Sequence, residues 1–431
     1  MPEVTTPVDH YSALFAQRTF ANVPPWLPPL QRAAQSRFAE LGFPGRRDEE
    51  WRFTDVRPIA EIPFHPATGS TDAAEIVAEF AFAGVPQIVF VNGRYVPELS
   101  TIACLPDGAK VEPLSEALRN SAALLEPHLG RYAEFEREPF VALNTALFDE
   151  GAFVYIPRGA AIEEPIHLLY VASENHAAAY PRTLIVAQEN SRATLIESYA
   201  GAKSAVYFTN AVTEVVLAEN AVVDHYKLQR ESDSAFHIAQ MNVRLKRHSS
   251  FASHSITFGG AITRNDVVAI LSAEHIECTL NGLYLGDGDR VVDNHTTIDH
   301  AMPNCNSHEV YKGILDDRSR GIFNGKIYVR EDAQKTDAKQ TNRTLLLSED
   351  AQVNTKPQLE IFADDVKCTH GATVGQLNAS QLFYLRTRGI PLEDARALLV
   401  YAFASDIVSR IKVEPVREAL DAHLLVRLPA I

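Results

Sequence analysis

Residues 184–196 read LIVAQENSRATLI, an apolar run, a short polar turn and a second apolar run. The phrase returns as VVLAENAVVDHYKL (215–228), VRLKRHSSFASHSI (243–256), AILSAEHIECTL (269–280), IYVREDAQKTDA (327–338) and LLLSEDAQVNT (345–355). Its turn residues Asn190, Asn220, His248 and His275 are spaced by 30, 28 and 27, and Asp332 lies 18 before Asp350. A single strand–turn–strand unit cannot cover its own apolar face, whereas stacking such units at a near-constant period buries a continuous core. A β-sandwich would place turn signals every ~8–12 residues and use hairpin pairs such as Asn-Gly. The turns here are instead polar and rich in Ala and Ser, so the pattern predicts a mainly β protein built on a parallel β-solenoid over residues 151–375.

Outward from that core the text changes. Residues 1–150 predict an N-terminal helical or α+β domain: Leu30, Ala33, Ala34, Phe38 and Leu41 fall at helical spacing before Gly42. Charges then surround Trp51 and Phe53, Asn92-Gly93 between alternating apolar residues marks a tight hairpin, and a helical pattern resumes at Leu114. Residues 376–431 predict a C-terminal helical domain. Ser380 reads as an N-cap, Gly389 as a C-cap, and Pro391 opens a helix with Ala395, Leu398, Leu399, Ala402 and Phe403 on one face; Pro415 begins a third. Helices this few cannot build a core alone, so they must pack on the solenoid end or on a partner.

A chain of 431 residues is long enough for two to four folding units, and its net charge of −15 repels phosphate backbones and anionic lipid. Apolar residues at 46% and charged residues at 22% exclude wholesale disorder. No window approaches the ~20 apolar residues of a membrane span, and MPEVTTPVDHYSALFAQRTF lacks a basic start followed by an apolar run, so the expectation is a cytoplasmic chain. Cys104, Cys278, Cys305 and Cys368 lie 174, 27 and 63 residues apart, which leaves no CxxC pair and makes a disulfide framework a poor fit. Metal chemistry on this chain must be sparse or shared.

Two apparent motifs fail on spacing. Gly321 to Lys326 has three residues between its glycines rather than four, and Ile327 stands where a phosphate loop needs Ser or Thr. Gly286-Asp287-Gly288-Asp289 offers too few oxygens for calcium. Asp293, His295, Asp299, His300, Cys305, His308 and Glu309 crowd into 17 residues, which is metal-site material if they converge; hydrogen bonding of turns and solvent-facing positions is the plainer reading. In Cys368-Thr369-His370 an extended backbone puts the thiol and the imidazole on one face, about 6.6 Å apart along the strand. That pair suits iron, zinc or an iron–sulfur cluster, but a cluster usually takes four protein ligands, so the rest must come from another polypeptide.

The runs Asp299-His300, YKGILDDRSRGIFNGKIYV (311–329), the stretch from Ala333 through KCTHGATVG to Gly375, and QLFYLRTRGIP (381–391) closely resemble the SufB/SufD family of iron–sulfur cluster assembly scaffolds. GFPGRRDEEWRFTDV (42–56) resembles the family's N-terminal motif. Lys367 to Thr373 is similar to the sequence of the SufD branch, where SufB carries a Glu-His-Glu-Ala type sequence. The resemblance implies a right-handed parallel β-helix with helical domains at both ends. It also implies a non-catalytic scaffold subunit in a cytoplasmic complex, meeting a SufB-like paralogue through the β-helix and a SufC-like ATPase through the C-terminal helices; a homodimer of the isolated chain is left open. Iron or an iron–sulfur cluster would be held transiently at the partner interface, with none bound stably by the isolated chain. His370 matches the family histidine that faces the partner's cysteine site, and Cys368 the adjacent cysteine; His295, His300, Cys305 and His308 are secondary candidates. Two competing readings are a cytosolic solenoid enzyme acting on a carbohydrate through the 293–309 cluster, and a purely structural subunit.

Overall fold

The computed structural model describes residues 7–18, 23–67, 73–102 and 104–427; residues 1–6, 19 and 20 of the N-terminal stretch that lacks an export-signal pattern lie outside them. From Arg182 onward successive strands alternate between two sheets, and each pairs in parallel with the strand two places on. Val222–Arg230, for example, pairs with Ser250–Thr257, which pairs with Glu277–Gly286, then Asn306–Leu315, Asp337–Leu346 and Lys367–Gly375. This is the predicted solenoid.

The phrase that announced it works through one corner. Asn190, Asn220, His248 and His275 all adopt left-handed backbone, with φ of 58°, 58°, 57° and 58°, a conformation in which Asn and His are enriched among non-glycine residues. The corner continues at Asn304 and Lys335. Neighbours in this column support one another: Asn220 Nδ2 donates to Asn190 Oδ1 at 3.0 Å, and the rings of His248 and His275 stack at 4.9 Å. The pair Asp332 and Asp350 does not extend the column. Asp332 lies in this corner's turn before Lys335, whereas Asp350 lies in the opposite corner, so their spacing of 18 links two different turns.

Alternate residues of each strand point into the solenoid. Near the asparagine corner they are apolar, with Ala193, Val223, Phe251 and Cys278 meeting Leu217, Leu245 and Leu271. Further along the same strands the interior is polar. Glu197 accepts from Tyr199 at 2.5 Å and pairs with His225 at 3.0 Å, while Lys227 donates to His237 Nε2 at 2.9 Å and burial pushes its ammonium down to about 8.

The N-terminal region is fused to this core. The Leu27–Leu41 helix ends where Gly42 turns at φ 65°. Gln87–Val91 forms the predicted hairpin with Arg94–Tyr95 across Asn92-Gly93, and its other edge runs parallel to Ile166–Ala172, extending a solenoid sheet. Every residue of the Pro139–Leu147 helix is buried.

The C-terminal helices correct the expectation in three ways. Asn378, not Ser380, caps the Ala379–Thr387 helix, its side chain accepting from the Ser380 and Gln381 N–H groups. The Leu392–Val408 helix buries Ala395, Val400, Ala404, Ile407 and Val408, leaving Leu398 exposed, because apolar residues all round this helix prevent the spacing from selecting a face. That helix and Glu414–Arg427 pack on the flank of one sheet, against Ile196, Tyr226, Leu228, Ile256, Leu283 and Ile314, rather than on the solenoid end. Among the described residues no helix is long and apolar enough to cross a membrane.

Candidate functional site

Among the described residues the solenoid ends at Gln352–Ile361 and Lys367–Gly375, each paired on one edge only. Whereas earlier strands are largely buried, every residue of Lys367–Gly375 except Cys368 is exposed, because no further rung covers it. The strand is the open mouth of the interior.

Register decides what that mouth displays. Cys368 pairs with Ala338 and His370 with Gln340, both inward positions, so the thiol and the imidazole share the inner face as the spacing predicted. Their surroundings differ. Cys368 is half-buried with Leu359 and Val366 against Ile327, Val329, Ala333, Ala338 and Ala363, and burial pushes its thiol up. His370 is exposed at the end of an inner column running through Gln340 to Glu309. Glu309 is buried, accepts from Gln340 Nε2 at 2.7 Å, and has its carboxyl pushed up to about 7 by burial. Gln340 had no motif to mark it, but its position, 31 after Glu309 and 30 before His370, repeats the solenoid period.

The 293–309 cluster does not converge. His295 lies on the outer face of one sheet, whereas His300 is inside, bonded through Nε2 to Ser307 Oγ at 2.9 Å and pushed down to about 4 by burial. Cys305 is buried under its turn, donating Sγ–H to the Ala273 carbonyl at 3.1 Å, and His308 is exposed on the other sheet. A corner and a period of two distribute neighbouring residues over separate surfaces. Among the described residues no group of three or more His, Cys, Asp or Glu side chains is placed to hold a metal ion.

What His295 and Asp293 do is dock the N-terminal motif. Arg264 stacks on Trp51 at 3.7 Å and donates to the Glu50 carbonyl, Thr54 donates to Asp293 at 2.5 Å, and Glu50 lies 3.3 Å from His295 Nδ1. The His295 Nε2–H reaches Asp293 Oδ1 at 3.0 Å, so that despite burial the imidazole is pushed up to about 9 and the carboxyl down to about 2 by their mutual attraction, with Arg264 and Thr54 also holding the carboxylate. The cluster is a structural joint 239 residues across in sequence, which no local motif reports.

Comparison with known proteins agrees with this architecture. Residues 170–403 match the SUF system FeS cluster assembly, SufBD core domain, and residues 7–168 match the SufBD protein N-terminal region. The chain is 35% identical over 394 residues to the iron–sulfur cluster assembly SufBD family protein slr0076 of Synechocystis, spanning 88% of this chain and 86% of that one. It is 33% identical over 392 residues to the iron–sulfur cluster assembly protein SufD of Escherichia coli, 90% of each chain, and 28% identical over 411 residues to SufD of Bacillus subtilis, 92% and 93%. With both family regions present in order on a continuous parallel solenoid, the chain belongs to the SufBD family of the SUF iron–sulfur cluster assembly system.

Proposed function

We propose that this SUF-system subunit is a non-catalytic scaffold whose cargo, a nascent iron–sulfur cluster, is held between His370 and ligands of a SufB-like paralogue seated on the open end of the solenoid. The observation that carries the reading is the position of His370: an exposed imidazole at the end of an inward-facing column, on a strand with one unpaired edge. One imidazole and at most one thiol fall short of the four ligands a cluster usually takes, so a second chain must supply the others. Cys368 is an auxiliary donor in this reading, because its half-buried thiol is harder to ionise and the thiolate is the ligating form.

ATP hydrolysis belongs to a SufC-like subunit docked through the C-terminal helices, where Phe383 and Tyr384 stand exposed. The carboxylates a carbohydrate-acting enzyme would need are committed elsewhere: Asp293 to the N-terminal joint, Asp299 to Arg330 at 2.6 Å, and Glu309 to the interior.

The test is to purify the three-protein complex carrying His370→Ala or Cys368→Ala and measure iron and acid-labile sulfide. His370→Ala is expected to leave the stoichiometry intact and cut the cluster content, with a smaller loss for Cys368→Ala. An intact His370→Ala complex with undiminished cluster would favour the purely structural subunit.

A further inference from the structure

The inner column that ends at His370 stays polar over its last three rungs. Glu309, Gln340 and His370 are successive register partners, so their side chains stack on one face at about 4.8 Å per rung. Glu309 is 1% and Gln340 2% exposed. Gln340 Nε2 donates to Glu309 Oε2 at 2.7 Å, which turns the amide oxygen away from Glu309. That oxygen is buried and has no hydrogen-bond partner among the described residues. The next side chain on the same face is that of His370.

The seat of the amide is built into the fold. A Cβ at Gly325, on the facing sheet, would lie 2.4 Å from Gln340 Nε2, so a larger residue there would push this side chain from its present position. Thr296 sits beside the Glu309 carboxyl, within reach of a hydrogen bond to it. When Glu309 is protonated, its O–H can turn to Thr296 and still leave Oε2 to accept from Gln340. The amide therefore keeps one orientation in either charge state.

We propose that Gln340, oriented by Glu309, is a positioning residue for His370: its amide oxygen accepts one imidazole N–H and leaves the other ring nitrogen unprotonated, free to act as a ligand at the mouth of the solenoid. An imidazole binds a metal through its unprotonated nitrogen, and the hydrogen bond made by the other nitrogen selects which one that is. The inference rests on the ligand reading of His370 above, and it adds the residues that prepare that ligand.

The experiment uses the full chain with 15N-labelled histidine. Long-range 1H–15N correlation reads the His370 tautomer, its signals identified by their loss in His370→Ala. Wild type is expected to show one dominant tautomer. Gln340→Leu, and Gln340→Met as a near-isosteric second variant, should show both tautomers, while Gln340→Glu, which keeps an acceptor, should retain one. In the assembled complex the Leu and Met variants should bind iron about 10-fold or more weakly, with Gln340→Glu close to wild type. An unchanged tautomer in folded Gln340→Leu or Gln340→Met would overturn the proposal. Failure of the ligand reading is separate: the tautomer would respond as expected, yet His370→Ala would assemble undiminished cluster.

Discussion

Arg182 and Glu214 are fully buried and meet at 2.7 Å on adjacent strands. Glu214 also accepts backbone N–H groups of Gly130, Tyr132 and Ala133, and Arg182 donates to Asn144 and Thr145, so one ion pair ties the N-terminal segment to the solenoid. Removing one partner of such a pair leaves a buried charge uncompensated. Arg182→Met is therefore expected to cost about 3–5 kcal/mol, read as a lower denaturant midpoint, and a loss below about 1 kcal/mol would show that the backbone donors alone satisfy Glu214. At this scale the sequence was half legible. The shared face of Cys368 and His370 follows from a period of two, but their unequal burial follows from Cys368 lying over Ala338 and the Ile327–Val329 cluster, which only the register reveals.

Among the elements, the Glu49–Trp51 turn shows how a conspicuous motif can have a structural purpose. His295 is raised from 6.5 to about 9, so its contribution to stability is complete below the ordinary value and is lost as pH rises through 9. Glu138 is raised from 4.5 to about 7 by burial and by the carboxylate of Asp266, and it acts in the same direction, weakening the joint as it ionises. Asp293 is lowered from 3.8 to about 2, so its contribution is present above the ordinary value and is lost as pH falls through 2. Glu50 and Asp266 also face His295, with Arg264 opposing them. The joint should accordingly be firmest near about pH 4 to 4.5, loosen as Glu138 ionises toward about pH 7, and loosen further as His295 loses its proton toward about pH 9. Hydrogen exchange of the 49–54 amides, corrected for the intrinsic rate, should show a rising opening constant over that range, flattened in His295→Asn. A constant value in wild type would contradict the assignment.

The Ala379–Thr387 helix is the contrasting element, since it buries no residue and leaves Phe383 71% exposed. Deleting everything beyond residue 380 would also strip the two flank-packed helices from Tyr226 and Leu283, so it would not isolate a docking role. Phe383→Glu does isolate it. The variant should keep the wild-type melting temperature and lose the SufC-like subunit in co-purification; retention of that subunit would place the contact elsewhere.

Over the whole molecule, the unpaired edge of Lys367–Gly375 is what distinguishes one end of the solenoid. Lys367 donates its N–H to Thr336, and alternate residues of a parallel strand turn their N–H to opposite sides, so that of Ala372 points to the open edge. Ala372→Pro removes this donor without taking one from the existing ladder. Isolated Ala372→Pro should unfold like wild type but pair at least about 10-fold more weakly with the SufB-like paralogue, a difference of about 1.4 kcal/mol. Equal affinity by titration calorimetry would argue that the partner does not add along this edge.

Sequence was enough for the solenoid, because a repeated requirement is written repeatedly: each coil needs a residue tolerant of left-handed backbone at one corner and an apolar residue at every second position beside it. It also determined the pairing of Cys368 with His370 on one face, which needs only a two-residue spacing. The flank position of the C-terminal helices, the scattering of His295, His300, Cys305 and His308, and the Glu309–Gln340–His370 column were decided by tertiary structure alone. Each depends on which rung lies beside which, and rung adjacency is set by packing summed over the whole stack. A corner turn one residue longer or shorter reverses which side chains face inward, and no local stretch of sequence records that choice.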